Sequence, residues 1–389
     1  MEDKIYDFDM AKAPQTIIKV IGVGGGGGNA VSNMYREGIR DVSFVLCNTD
    51  NQALQKSDVP DKLLIGQNTT HGLGSGNVPE VGEKAAIESE NDIRKMLDDG
   101  TRMAFVTAGM GGGTGTGAAP VVARVCKEMG CLTIGIVTRP FTFEGKVRNG
   151  NAVEGLQALR PHVDSLIVVS NDQLLQMSGN VPVNDAFKEA DNVLAHSVKT
   201  ITDLIVRPSR INLDFADVRN IMSNKGTALI GMGVGNGINK VKEAAYAAVT
   251  CPLSESSIRG AKNAIVSIRG GDTITILDTN EIVEIVREAA GGSEMNVIFG
   301  LDVDPALGDS VEVTVIATDF IENDIHRVER QDGSLDSLDT LKKIDAKDFM
   351  VSPKVEPQIK HMESRIAESE DANLDNDDLL PAFLRKRNR

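Results

Sequence analysis

The sequence contains no tryptophan, and aromatic residues make up only 4% of it. The core of a 389-residue chain must therefore be aliphatic, built from Val, Ile, Leu, Ala and Met. Positive charge is scarce as well: 41 Lys and Arg face 56 Asp and Glu, a formal net charge of −15. Nucleic-acid binding rests on phosphate neutralisation by basic side chains, so this balance argues against it. The four cysteines, Cys47, Cys126, Cys131 and Cys251, form no CxxC pair and show no zinc-like spacing to histidine, and they read as reduced cytosolic thiols. No apolar run approaches the roughly 20 residues of a membrane span. The first residues, Met1-Glu2-Asp3-Lys4, lack the apolar stretch of a signal peptide. The expectation is a cytoplasmic protein that reaches a membrane only through a partner.

Glycine, at 38 residues, is plentiful and clustered, which suggests backbone-lined ligand loops. The clusters fall between predicted strands and helices. Residues 16–23 form a continuous apolar run, the pattern of a buried parallel strand, and a helix is predicted over 29–36. Further strands are predicted at 42–48, 103–107, 132–137 and 165–169, with a helix at about 119–129. Strands alternating with helices imply a doubly wound parallel α/β sheet. A long helix is predicted over about 185–206, ending at Arg207-Pro208. Strand-like runs then follow at 264–268, 273–277, 296–300 and 311–316, with one amphipathic helix over 281–290, which suggests a smaller α+β domain. From about 322 to 376 charge dominates and no period persists, as in a disordered linker. The predicted organisation is a leader over 1–15, a nucleotide-binding domain over 16–184, a central helix over 185–207, an α+β domain over 208–321, the linker, and a distinct tail peptide over 377–389.

The first cluster runs from Gly22 to Gly28 before Asn29. Backbone amides at a helix start there would suit phosphate oxygens. It also satisfies GxGxxG, and Asp50 lies after the next strand where a ribose-binding acid would stand, so a dinucleotide enzyme remains open at this point. The second cluster, Gly109 to Gly117, again follows a strand, and Thr114 and Thr116 add hydroxyl donors. No GxxxxGK[ST] occurs. Without a loop lysine, phosphate charge must be met by amides, a helix dipole and Mg²⁺. Asp214 and Asp217, spaced i and i+3 before a helix-like run to Met222, read by themselves as a helix N-cap.

Gly111-Gly112-Gly113-Thr114-Gly115-Thr116-Gly117 is the tubulin signature, and residues 16–320 resemble the FtsZ family of bacterial tubulin-like cell-division GTPases. The likeness extends to Asn48-Thr49-Asp50, Gly72 to Gly76, Pro79 to Gly82, Phe143 to Lys146 and Asn212 to Val218. Asn77 and Asp319 depart from it, standing where the family usually has Ala and commonly has Gly. The resemblance implies a tubulin/FtsZ-type fold and GTP or GDP bound with Mg²⁺, with K⁺ as a further candidate ion. It places Gly25, Gly26, Gly27, Gly28, Asn29, Gly113, Thr114, Gly115 and Thr116 at the phosphates, with Asn29 also in reach of the base. Gly72, Gly74 and Gly76 belong by the same likeness to a γ-phosphate loop, Glu144 and Arg148 to the ribose side, and Phe187 and Asp191 to the guanine. Asn212, Asp214 and Asp217 would enter the nucleotide site of the next subunit, so that hydrolysis accompanies head-to-tail polymerisation into a division ring at mid-cell. Leu380, Pro381, Phe383, Leu384 and Arg385 resemble the tail peptide by which the family engages an actin-like membrane tether and other division adaptors.

Overall fold

The computed structural model describes residues 17–178, 182–206, 214–250, 253, 257–292 and 294–320. The leader, Asn212, Cys251, the linker and the tail peptide lie outside the described residues.

The parallel half begins with β1 (Ile17–Val23), α1 (Gly24–Arg36), β2 (Ser43–Asn48), α2 (Asn51–Lys56) and β3 (Asp61–Leu64). Three helices follow, α3 (Gln67–Thr70), α4 (Pro79–Glu88) and α5 (Glu90–Leu97). Then come β4 (Thr101–Gly109), α6 (Thr114–Glu128), β5 (Leu132–Arg139), α7 (Lys146–Leu159), β6 (Ser165–Ser170) and α8 (Asn171–Ser178). The long helix α9 (Val183–Val206) leads toward α10 (Phe215–Met222), and the second half comprises β7 (Gly226–Asn236), α11 (Lys240–Val249), β8 (Ala261–Gly270), α12 (Ile276–Ala290), β9 (Asn296–Val303) and β10 (Ser310–Phe320).

The strands form one ten-stranded sheet in the order β3-β2-β1-β4-β5-β6-β7-β10-β8-β9. From β3 to β7 every pair is parallel, as the alternation of strand and helix requires. β6 and β7 pair over only three positions, Ser165–Gly226 to Ile167–Ala228. β10 then runs antiparallel to both β7 and β8. The aliphatic composition fills three buried clusters. One lies beneath α1, α9 and α10, one beneath α6 and α7, and one between the second-half strands and α11 and α12. Chain direction across the sheet reverses between the adjacent strands β1 and β4. Such a switch point opens a crevice at the carboxyl ends of the strands. Both glycine clusters follow those two strands.

One expected strand is a helix start. The β-branched run Thr273 to Leu277 alternates like a strand, but the Thr275 hydroxyl accepts from the Asp278 amide at 3.1 Å and the Asp278 carboxylate accepts from the Thr275 amide at 2.8 Å. This capping box opens α12 five residues before the expected start. Conversely, β7 is a strand that glycine disguises. A Cβ on Gly233 would lie 2.1 Å from the Ala244 carbonyl oxygen, and one on Gly235 1.9 Å from that of Lys240. α11 rests directly on the strand backbone, which only glycine permits. Asp319 keeps a left-handed φ of 62°, and its carboxylate accepts from Lys225 at 2.9 Å and Asn263 at 3.1 Å.

Gly235→Ala should therefore destabilise the fold by overpacking, by about 1–3 kcal/mol. Gly150→Ala, at an exposed α7 position whose Cβ meets open space, should instead stabilise by about 0.5–1 kcal/mol. Thermal unfolding without nucleotide should show melting temperatures moving in opposite directions.

Candidate functional site

The two glycine clusters become helix N-termini that face one crevice. α1 begins directly at Gly24 and α6 at Thr114; neither has a side-chain cap or an acidic residue in its first turn. The first amides of a helix have no partner within it, and the dipole leaves that end positive. Two such ends together favour an anion.

The glycines divide into two kinds. Some are needed for close approach: a Cβ on Gly24 would lie 2.7 Å from the Gly115 amide nitrogen, on Gly27 2.2 Å from the Thr107 carbonyl oxygen, and on Gly113 2.3 Å from the Ser75 hydroxyl. Gly25, Gly28 and Gly112 instead have ordinary φ and nothing within 4 Å of an added Cβ. Nothing in the protein itself demands glycine at these three positions. They border space that a phosphate group would fill, so the residues present fit a nucleotide. Beside Gly25 and Gly28, between α1, β2 and α2, a cavity of about 220 Å³ is lined in part by those two glycines, Asn29 and Asn48. Thr116 is buried, and its hydroxyl accepts from the Gly111 amide at 2.8 Å, so it shapes the loop from within.

Residues 71–77 form a tightly folded loop. His71, Gly72, Gly74, Gly76 and Asn77 all have positive φ. The Gly74 amide donates to the Thr49 carbonyl at 3.1 Å and the Asn51 amide to the Gly72 carbonyl at 3.0 Å, which fasten the loop to the end of β2. Glu88 fastens its approach, accepting from the side chains and amides of Thr69 and Asn68. Those bonds, the Thr69 hydroxyl foremost, hold the Glu88 carboxyl below the usual carboxylate range. Asp50, the candidate ribose acid of a dinucleotide enzyme, is a helix cap: its carboxylate accepts from the Gln52 and Ala53 amides at 2.8 and 3.1 Å.

On the other flank, after β5, the Glu144 carboxylate accepts from the Phe141 amide at 3.0 Å and pairs with Arg148. Buried Phe141 stacks on Phe143 at 4.9 Å and meets Phe187 edge-on at 5.0 Å. Phe187 remains 42% exposed, with ring surface free for a further stacking partner. One helical turn on, burial pushes the Asp191 carboxyl up to about 7, opposed by the nearby Arg36. Asn33 of α1 bonds Asn192 of α9 at 3.1 Å, which ties this turn to α1. Asn171, which the motif reading passed over, follows the carboxyl end of β6; its Oδ1 is buried without a partner among the described residues. A polar residue ending a parallel strand is the signal that points to it.

Asp214 and Asp217 stand elsewhere. The Asp214 carboxylate accepts from the Asp217 amide at 2.8 Å, and that of Asp217 from the Asp214 amide at 3.3 Å, so the N-cap is real. The far end of the same helix meets the start of β6, where the Ser165 hydroxyl donates to the Met222 carbonyl at 2.6 Å. The acidic pair thus belongs to the amino edge of the parallel strands and the glycine loops to the carboxyl edge. The nine residues of β4 alone span about 30 Å between those edges.

Comparison with known proteins agrees with this architecture. The model of the Tubulin/FtsZ family GTPase domain matches residues 17–179, and that of the FtsZ family C-terminal domain matches 226–321. An empty FtsZ dimer from M. jannaschii is 41% identical, with 78% of this chain and 88% of that chain covered and a TM-score of 0.73. A point mutant of FtsZ from M. jannaschii is 40% identical, with coverage of 78% and 91% and a TM-score of 0.74. CetZ2 from Haloferax volcanii, as a GTPγS-bound protofilament, shares the fold at 22% identity, with coverage of 81% and 98% and a TM-score of 0.67. With both domains matched in order, the chain belongs to the FtsZ family of tubulin-like GTPases.

Proposed function

We propose that this GTPase binds GTP across the ends of α1 and α6 and hydrolyses it when subunits assemble head to tail. The observation that carries this reading is the separation of the two halves of the site. The glycine loops and the acidic pair occupy opposite edges of one sheet, too far apart to meet within a chain. α9, about 36 Å long at 24 residues, begins beside Phe141 at the carboxyl edge, and the described chain resumes at Asp214. Stacking subunits edge to edge would bring Asp214, Asp217 and Asn212 of one to the γ-phosphate of the next. A contact of that kind does not close on itself, and it generates a filament.

The roles of the residues follow from chemistry. Phosphoryl transfer needs positioning and charge neutralisation more than covalent help. Amides of Gly25 to Gly28 and of Gly113 to Gly115 would hold the phosphates, the Gly72, Gly74 and Gly76 loop would border the γ-phosphate, and Mg²⁺ would arrive with the nucleotide. Glu144 and Arg148 would meet the ribose. Phe187 would stack on guanine, Asn29 would touch its edge, and the Asp191 carboxylate would accept from the ring N–H and amine. Asp214 and Asp217 would orient the attacking water. A filament-forming GTPase of this family fits a role in cytoplasmic cell division, with the tail peptide engaging an actin-like tether or another adaptor.

Asp217→Ala should retain GTP binding and lose turnover by at least about 10²-fold, measured as phosphate release. In the unaltered protein, turnover per subunit should rise with concentration above a threshold; a rate that stays flat on dilution would indicate a self-contained site. GDP affinity should also depend on pH. Asp191 accepts both guanine donors only when ionised, so binding expels a proton below its pKa. The Kd should rise by up to about tenfold per pH unit as pH falls below about 7 and level off above it. Asp191→Asn should abolish that slope in a nucleotide titration. Deleting residues 377–389 should leave turnover and sedimentation with GTP unchanged while abolishing adaptor pull-down.

A further inference from the structure

Three buried hydroxyls meet between the glycine loops and the end of β2. Thr114 Oγ1 lies 2.7 Å from Thr49 Oγ1 and 3.0 Å from Ser75 Oγ. All three residues are buried, at 8%, 0% and 9% exposure. Each comes from a different element: Thr114 opens α6, Thr49 follows β2, and Ser75 sits in the 71–77 loop. Gly113, beside Thr114, is glycine because the Ser75 hydroxyl occupies the place of a Cβ.

A hydroxyl carries one proton and two lone pairs. Thr114 has two hydroxyl neighbours, and with no other acceptor bonded to it among the described residues its own proton goes to one of them. That neighbour keeps its own proton but cannot donate it back along the same contact. An anionic oxygen in front of α6 changes the count. Thr114 donates to the anion, its proton leaves both hydroxyl contacts, and Thr49 and Ser75 each donate to one of its two lone pairs. All three protons then point toward the phosphate, and each bond polarises the next. The loop is already fastened to Thr49 through the Gly74 amide, so this alignment holds it from two sides.

We propose that Ser75 and Thr49 are positioning residues that tie the 71–77 loop to the bound phosphate through the Thr114 hydroxyl. This rests on the GTP-site reading above. The loop exposes Leu73 at 83%, so the order of an exposed segment becomes a function of phosphate occupancy.

The test is a titration with fluorescent GDP, paired with amide hydrogen exchange over residues 72–77. Ser75→Ala and Thr49→Val each remove one donor with little change in volume and should weaken GDP binding by about three- to tenfold. Thr49→Ser keeps the hydroxyl and should stay within about twofold of the unaltered protein. GDP should slow exchange over 72–77 in the unaltered protein and in Thr49→Ser, and much less in Ser75→Ala. A purely structural role would slow or speed exchange equally with and without GDP. If the unaltered protein binds GDP and both donor-deleted variants bind it equally well, with equal loop protection, the hydroxyl chain is refuted while the GTP site stands. If the unaltered protein does not bind GDP, both readings fall.

Discussion

Two helix N-termini aimed at one crevice, with no cap and no acidic side chain to offset either, are the constraint around which the nucleotide half is arranged. Partial positive charge is concentrated where β1 and β4 end, and no first-turn carboxylate opposes it. Bringing α1 and α6 this close requires backbone to approach backbone, as Gly24 does Gly115 and Gly27 does Thr107. The same constraint explains why no lysine is needed. An anion placed there satisfies both helix ends, and the open positions at Gly25, Gly28 and Gly112 leave room for it. The supporting parts, from the Glu88 clasp to the buried hydroxyls, hold neighbouring loops in register with that point.

The sheet imposes a second constraint by separating what chemistry must bring together. A parallel sheet sends every strand's carboxyl end to one edge, and the two glycine loops share that edge. α10 is fixed at the other edge through Ser165 and through Thr318, which donates to the Ile221 carbonyl at 3.0 Å. The acidic pair it carries is thereby held away from its own chain's nucleotide site. Asp214 and Asp217 make an ordinary helix cap and still have a carboxylate oxygen each to spare. Capping and water-orienting roles are compatible on the same side chains.

Much of this is legible in residue order. The buried parallel strands, the long helix and the two glycine clusters announce themselves, because apolar runs and glycine-dense turns are local patterns. The motif series points to the family through residue order alone. Elements whose logic is non-local escape. β7 reads poorly as a strand because its glycines answer to α11, a neighbour the alternation pattern does not reveal. Thr273 to Leu277 reads as a strand because β-branched residues alternate there, whereas the reciprocal bonds between Thr275 and Asp278 start a helix.

The site shows the same division. Sequence alone determined that two glycine clusters, a hydroxyl-bearing loop and a spaced acidic pair occur in one chain, since these are matters of residue type and spacing. Only the tertiary structure decided which glycines border open space and which are wedged against backbone. It turned Thr116 inward, made Asp50 a cap, left Asn171 with an oxygen unpaired among the described residues, and set Thr49, Ser75 and Thr114 in contact. It also placed the acidic pair at the far edge of the sheet. The physical reason is that each of these depends on distances between segments remote in sequence, which packing sets and composition does not record.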